Sequence, residues 1–384
     1  MVRPTRVIAG RASQGRGSRP VRCRPPHRRP PLDKPRGKAH LAREGAHHPA
    51  GRATMMNREE RVRAAHSALT NVLDLKRHDR VLVVTDTITR GVAEVFAATA
   101  EAEGCDTDTY LIPEQGRPHA ALPAGMIDRL TGRTVVINAF SAMNAEVPFR
   151  IAWIRAIEAT QRIRLGHAPG ITEAMLDDGP LAVDYGAMRT RADRLIDNLR
   201  DAVSVHITAP GGTDLVLGLR GRPFQSDLRA TVAVGVNLPC GETYCAPVET
   251  EGEGVLVADG PIGAIGKPAA PVTLTLSGGR VTRVACADAA LRAEIEALCA
   301  TDADASVVGE LGIGLNPGAR LVGCMLEDEK ALRTAHIAFG NNEDMPGGCN
   351  RSSIHIDYLF HTPSMDVAYA DGSHRQLMRD GQFV

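Results

Sequence analysis

The stretch Arg80-Val81-Leu82-Val83-Val84-Thr85-Asp86, together with the segment that follows it, decides the fold of this chain. A continuous apolar and β-branched run of this length is typical of a strand that is buried on both faces. Residues 88–103 (ITRGVAEVFAATAEAE) then predict a helix that ends at Gly104. A buried strand followed directly by a helix is the repeating unit of a parallel sheet covered by helices.

The same alternation continues on both sides of this unit. Further helices are predicted at residues 57–75, 123–131 and 146–158, and further strands at residues 106–112, 134–138 and 162–165. We therefore predict an α/β fold that begins with a doubly wound, mostly parallel domain over residues 55–200. The first strand is not followed by GxGxxG, and GxxxxGK[ST] does not occur in the chain, so no nucleotide site is indicated.

Beyond a helix predicted at residues 183–202, the texture of the sequence changes. Short strands separated by glycine turns are predicted at residues 204–208, 214–219, 254–257, 272–277 and 281–285. Such a pattern is typical of antiparallel sheets. With a helix predicted at residues 288–299, it indicates a C-terminal α+β domain over residues 201–384.

The formal net charge of zero hides an asymmetry between the first 54 residues and the rest. Residues 1–54 carry a net charge of +12 and few large apolar side chains, so we expect a disordered basic extension. Three explanations fit this composition: a tail that binds nucleic acid or lipid, a transit peptide, or an extension upstream of a true start at Met55 or Met56. We favour the last. The remainder carries −12, so nucleic acid is not an expected partner.

Cysteine usage and hydropathy bear on the compartment. No pair among the eight cysteines has CxxC spacing, which suits a reducing cytoplasm better than a disulfide framework or a structural zinc site. The sequence contains no run of about 18 apolar residues, so we expect no membrane span.

Four segments in the second half carry residues that bind metals. His355 and Asp357 are two apart in a predicted strand and so share one face. The other segments contribute Glu242 after a turn, Glu310 within a glycine-rich apolar run, and Glu329 with His336. Each segment alone has a plainer interpretation: a surface loop, a strand end, a hydrogen-bonded core histidine or an edge strand. Together they supply oxygen and nitrogen ligands for a two-metal hydrolytic site that binds Zn²⁺, Co²⁺ or Mn²⁺.

The ordered motifs GETYCAP, GELGIG, DEK…HIAFG and SSIHID resemble those of the aminopeptidase T / aminopeptidase S family of metallopeptidases. The resemblance implies a two-domain homodimer with two divalent metals that releases N-terminal residues from peptides. It places metal ligands at Glu242, Glu310, Glu329, His336, His355 and Asp357, with Glu310 bridging. The interval from Glu329 to His336 is two residues longer than the family's, and Glu343 stands where the family has a tyrosine. We expect Glu329 or Glu343 to transfer the proton to the leaving amine.

A second enzyme class has a similar C-terminal half. The ring-cleaving 2,5-dihydroxypyridine dioxygenase uses one Fe²⁺ held by two histidines and a carboxylate, and its HxD pair matches His355 and Asp357. Its other histidine falls where this chain has Glu310, which favours the hydrolase. A non-enzymatic binding protein built on a degenerate hydrolase scaffold is the third hypothesis.

Overall fold

The computed structural model describes residues 50–232 and 234–384, with side chains from Arg58 onward. The helices of this part are α1 (Ala50–Val72), α2 (Arg90–Ala102), α3 (Val147–Glu158), α4 (Ala174–Asp177), α5 (Tyr185–Leu199), α6 (Ala289–Cys299) and α7 (Met325–Asp328), with 3₁₀ turns at Ile127–Leu130 and Asn144–Glu146. The predicted extension lies outside the described residues except for its last five residues, which belong to α1.

The first eight strands are β1 (Arg80–Thr85), β2 (Asp106–Leu111), β3 (Val135–Ala139), β4 (Arg164–His167), β5 (Ala202–Thr208), β6 (Asp214–Gly218), β7 (Gln225–Ser226) and β8 (Val236–Asn237). The remaining strands are β9 (Glu242–Cys245), β10 (Gly252–Ala258), β11 (Val272–Ser277), β12 (Arg280–Cys286), β13 (Val308–Gly314), β14 (Thr334–Gly340), β15 (His355–His361), β16 (Ser364–Tyr369), β17 (His374–Arg379) and β18 (Gln382–Phe383).

The N-terminal part is the parallel sheet that the sequence predicts. Its strands lie in the order β2-β1-β3-β4-β8, and every pairing is parallel. Val81 and Val83 pack into the core that contains α1 and α2, while Leu82 and Val84 pack with Trp153 of α3. Both faces of β1 are therefore buried, which is why its sequence is apolar throughout.

Two antiparallel sheets make up the rest. The larger has the order β12-β11-β10-β6-β5-β16-β17-β18, and the smaller has the order β15-β14-β13-β9-β7. We did not predict the C-terminal strands β16 to β18. The short strand β8 joins the parallel sheet although it follows the boundary predicted near residue 200, so the division into domains stays a prediction.

Helix capping explains where two helices begin. Asp184 accepts a hydrogen bond from the backbone N–H of Ala187 at the start of α5, and Asp288 does the same for α6. In residues 50–232 and 234–384, no helix has the length and apolar character to cross a membrane. The seven cysteines in these residues are free thiols.

Candidate metal centre

The five-stranded antiparallel sheet separates charged from apolar side chains by strand alternation. On β13, Glu310 shares one face with Gly312 and Gly314, whereas Leu311 and Ile313 belong to the hydrophobic core. The same division holds on the neighbouring strands, where the apolar face carries Ile337, Phe339, Ile356, Tyr358 and Phe360. One face of the sheet is therefore anchored in the core and the other is available for chemistry.

Strand register brings the predicted ligands together on that face. Glu310 pairs with Ala338, which in turn pairs with Asp357, so two carboxylates flank one small side chain. His336 lies opposite Gly312, where a Cβ atom would be 2.1 Å from the imidazole Cε1 and Nε2 atoms. Gly312 therefore leaves the space in which the imidazole of His336 rests.

These ligands form two groups that share Glu310. Glu242, Glu310 and His336 offer donor atoms within 4.8 Å of one another, and so do Glu310, His355 and Asp357. Glu310 Oε1 lies 3.5 Å from His336 Nε2, and Glu310 Oε2 lies 3.0 Å from His355 Nε2. The two oxygens of one carboxylate thus face two histidines.

The donor set fits divalent metal ions. Glu242 Oε2 and His336 Nδ1 are buried without a hydrogen-bond partner, and an unpartnered buried carboxylate oxygen is costly. His355 Nδ1 lies 2.7 Å from the backbone oxygen of Asn341, which directs Nε2 toward Glu310, as ligand histidines are commonly oriented. Carboxylate oxygens with imidazole nitrogens suit Zn²⁺, Co²⁺ or Mn²⁺.

Mutual pairing sets the charges of these side chains. Burial alone would raise the pKa of Glu310, but the two histidines hold it well below its usual range. Burial would likewise lower the pKa of His336, yet the hydrogen bond and charge of Glu310 raise it to about 9. The pKa of His355 is raised against its burial by Asp357 and Glu310. Pairing with the carboxylates thus favours the protonated form of both imidazoles.

The centre also contains a buried lysine that we did not predict from the sequence. The Lys330 side chain is fully buried, and its Nζ contacts Glu242 Oε1, Glu329 Oε1 at 2.7 Å and Asp227 Oδ2 at 3.2 Å. The signal available in the sequence was its position directly after a candidate ligand and before the apolar pair Ala331-Leu332.

Glu329 and Glu343, the two predicted proton carriers, differ in placement. Glu329 belongs to neither donor group, and it is held by Lys330 and by Asn237 Nδ2 at 3.3 Å. Its burial raises its pKa, and Lys330 partly offsets that rise. Glu343 is exposed and forms an ion pair with Arg351 at 2.8 Å. The geometry gives no support to a catalytic role for Glu343.

A cavity of about 510 Å³ opens on the donor groups. The antiparallel sheet contributes Glu242, Glu310, His355 and Asp357 to its wall, and Glu329 also lines it. The parallel sheet and α3 form another part of the wall. They contribute the apolar side chains of Ile154, Leu165 and Val236 and the polar side chains of His167 and Asn237. The cavity can hold a small organic molecule beside the metal donors.

Comparison with known proteins agrees with this geometry. The family model described as thermophilic metalloprotease (M29) matches residues 182–383. Aminopeptidase T of Thermus thermophilus is 32% identical over 216 residues, which cover 49% of this chain and 50% of that protein. Aminopeptidase T of Thermus aquaticus is 31% identical over 205 residues, covering 47% and 49%. The chain thus matches about half the length of these curated relatives.

Solved structures share the fold. Wild-type AmpT from Thermus thermophilus superposes with a TM-score of 0.66 and 21% identity, covering 85% of this chain and 99% of that one. The 2,5-dihydroxypyridine dioxygenase from Pseudomonas putida KT2440 superposes with a TM-score of 0.65 and 16% identity, covering 85% and 97%. At these identities the superpositions confirm the predicted α/β fold alone. Because the family match covers more than half of the chain and all of the candidate ligands, the chain belongs to the thermophilic metalloprotease family M29.

Proposed function

We propose that this chain is a metal-dependent aminopeptidase that releases N-terminal residues from peptides. The observation that carries the proposal is the pair of donor groups that share Glu310 on the wall of a cavity. The homology to aminopeptidase T supports the same reaction class. A homodimer and a cytoplasmic location remain predictions from the family resemblance and the cysteine pattern.

The proposed cofactor is a pair of divalent cations, Zn²⁺, Co²⁺ or Mn²⁺. Glu242, Glu310 and His336 would hold one ion, and Glu310, His355 and Asp357 would hold the other. When bound, such ions polarise a peptide carbonyl and lower the pKa of the attacking water.

The charge of the centre is compatible with two divalent ions. The centre gathers the four buried carboxylates of Asp227, Glu242, Glu310 and Asp357, and the half-buried carboxylate of Glu329. Two dications and the ammonium of Lys330 would balance them, with both histidines neutral as ligands.

Glu329 is the proposed proton carrier. It lines the cavity beside the donor groups, and its raised pKa makes its carboxylate a stronger base. We propose that Glu329 accepts a proton from the attacking water and delivers it to the leaving amine. Lys330, at 2.7 Å, would keep the emptied carboxylate in place and stabilise its charge.

The dioxygenase alternative requires a different arrangement of ligands. Its iron site needs two histidines and one carboxylate on one ion. Among the described residues, each donor group holds one histidine and two carboxylates, and none joins His336 to His355. The geometry therefore favours the hydrolase.

The test begins with removal of metal by a chelator, followed by separate restoration of Zn²⁺, Co²⁺, Mn²⁺ and Fe²⁺. Amino acid p-nitroanilides report hydrolysis, and elemental analysis reports the number of ions per chain. We expect two ions per chain and hydrolysis that returns with metal. One iron per chain with oxygen uptake on hydroxypyridines would establish the dioxygenase instead. Substoichiometric metal with neither activity would establish a binding protein.

A further inference from the structure

His167 stands at the end of β4, on the part of the cavity wall that the parallel sheet supplies. The proposed chemistry gives it no role. Its ring packs edge-on against Phe140, with the ring centroids 5.8 Å apart, and the side chain is half-buried. Its neighbours on the cavity wall include the apolar side chains of Leu165 and Val236.

A chain of hydrogen bonds behind the ring fixes which nitrogen carries the proton. The indole Nε1 of Trp153, which can only donate, donates to Asn138 Oδ1 at 2.9 Å. The amide of Asn138 is thereby oriented, and its Nδ2 donates to His167 Nδ1 at 3.0 Å. Trp153 and Asn138 are both fully buried, so water does not compete for these contacts.

Because Nδ1 of His167 accepts, a neutral ring must carry its hydrogen on Nε2. The ring is neutral, since burial and the nearby charge of Arg150 lower its pKa to about 3. No described residue accepts a hydrogen bond from Nε2. The fold thus presents an unpaired N–H donor on the cavity wall, oriented from behind by two buried side chains.

We propose that His167 Nε2–H binds a carbonyl oxygen of the peptide substrate and positions the chain against the metal donors. The free N-terminal ammonium of a peptide has no lone pair to accept from this donor, whereas a backbone carbonyl oxygen, which every peptide carries, does. The apolar surroundings strengthen such a bond, because they exclude competing water. This inference rests on the proposed aminopeptidase function and assigns His167 a substrate-positioning role within it.

The first test is the tautomer, which does not depend on activity. Long-range ¹⁵N–¹H correlation spectra of the metal-free protein report which ring nitrogen of each histidine is protonated. We expect His167 to be protonated on Nε2 in the wild type, with the population shifting in Asn138→Leu. A wild-type ring protonated on Nδ1 overturns the proposal.

The second test compares His167→Leu with the conservative His167→Gln, whose amide can still donate. With metal restored, His167→Leu should raise KM for peptides by about fivefold to tenfold, while kcat and metal content change little. His167→Gln should recover part of the loss. His206→Leu, at an exposed position of β5, is the matched control and should leave KM unchanged. Equal KM values in wild type and His167→Leu overturn the proposal.

A measurement of dipeptide binding distinguishes a failure of this inference from a failure of the proposed function. If the metal-loaded wild type hydrolyses no peptide, the proposed function fails, and calorimetry with an unhydrolysed dipeptide then decides for His167. Binding weakened about fivefold or more in His167→Leu supports the positioning role, whereas equal binding, or no binding by the wild type, overturns it. Thermal melts of each variant confirm that it is folded.

Discussion

Lys330 places its ammonium 2.7 Å from the carboxylate of its own neighbour in the chain, Glu329, in the buried interior beside the cavity. The same ammonium contacts Glu242, whose other carboxylate oxygen belongs to the first donor group. A permanent cation is thus built into the metal centre. It orients Glu242 from one side while the proposed metal would bind from the other.

Replacing Lys330 by Met should leave Asp227, Glu242 and Glu329 without their cation. Because removal of the cation leaves buried carboxylates without a compensating charge, we expect the free energy of unfolding to fall by about 3–5 kcal/mol. Urea denaturation of the metal-free protein measures this. Lys76→Met removes an exposed lysine that pairs with Asp74, and it should cost no more than about 1 kcal/mol. Similar losses in both variants would contradict the structural role of Lys330.

Gly312→Ala should displace His336. The added methyl group would lie 2.1 Å from the imidazole, which is fully buried. We expect elemental analysis to show at least one ion per chain fewer than in wild type, with an unchanged circular dichroism spectrum. Gly186→Ala, near the start of α5, meets only the Asp184 side chain at 3.2 Å and should keep full metal content.

The shared position of Glu310 predicts unequal effects of two conservative changes. Glu310→Gln removes a charged ligand from both donor groups, whereas Asp357→Asn alters only one. We therefore expect Glu310→Gln to lose both ions and Asp357→Asn to retain one, as measured by elemental analysis after dialysis against buffered metal. Equal metal content in the two variants would show that Glu310 does not bridge.

The two predicted proton carriers are separable by kinetics. Glu329→Gln should lower kcat by about a hundredfold or more, which is the usual contribution of a positioned acid or base. Glu343→Gln should leave kcat within twofold, by our estimate, because the residue pairs with Arg351 at the surface. Metal content must be measured in both variants, so that loss of metal is not mistaken for loss of proton transfer.

Acid stability should depend on Asp86, at the end of β1. Burial would raise its pKa, but hydrogen bonds from Ser141, Thr89 and Arg117 lower it to about 2. A carboxyl group whose pKa is lowered by folding stabilises the fold at any pH above its pKa in the unfolded chain. This stabilisation is lost as the pH falls from about 4 to 2. We expect the free energy of unfolding to fall by about 2 kcal/mol over this range.

Urea melts across that pH range should show the loss in wild type and a flatter profile in Asp86→Asn. Asp201→Asn, at an exposed site, is the control and should follow wild type. An unchanged slope in Asp86→Asn would contradict the assignment.

Local sequence was sufficient for most of the N-terminal helices and strands and for choosing candidate ligands, but not for the strands β16 to β18. The strand at Arg80–Thr85 and the helix after it follow from side-chain pattern, and the shared face of His355 and Asp357 follows from the two-residue period of a strand. These properties depend on neighbours in the chain, so one sequence reveals them. The motif order likewise placed Glu242, Glu310 and His336 where the structure has donor atoms.

The tertiary structure decided which side chains meet. The register of β9, β13, β14 and β15 determines that Glu310 faces two histidines, and the packing of the cavity determines that Lys330 is enclosed and Glu343 is not. The tautomer of His167 depends on Trp153 and Asn138, which come from other elements. These contacts join segments that are tens of residues apart in the sequence. The burial and pairing that stabilise them arise only when the sheets pack together.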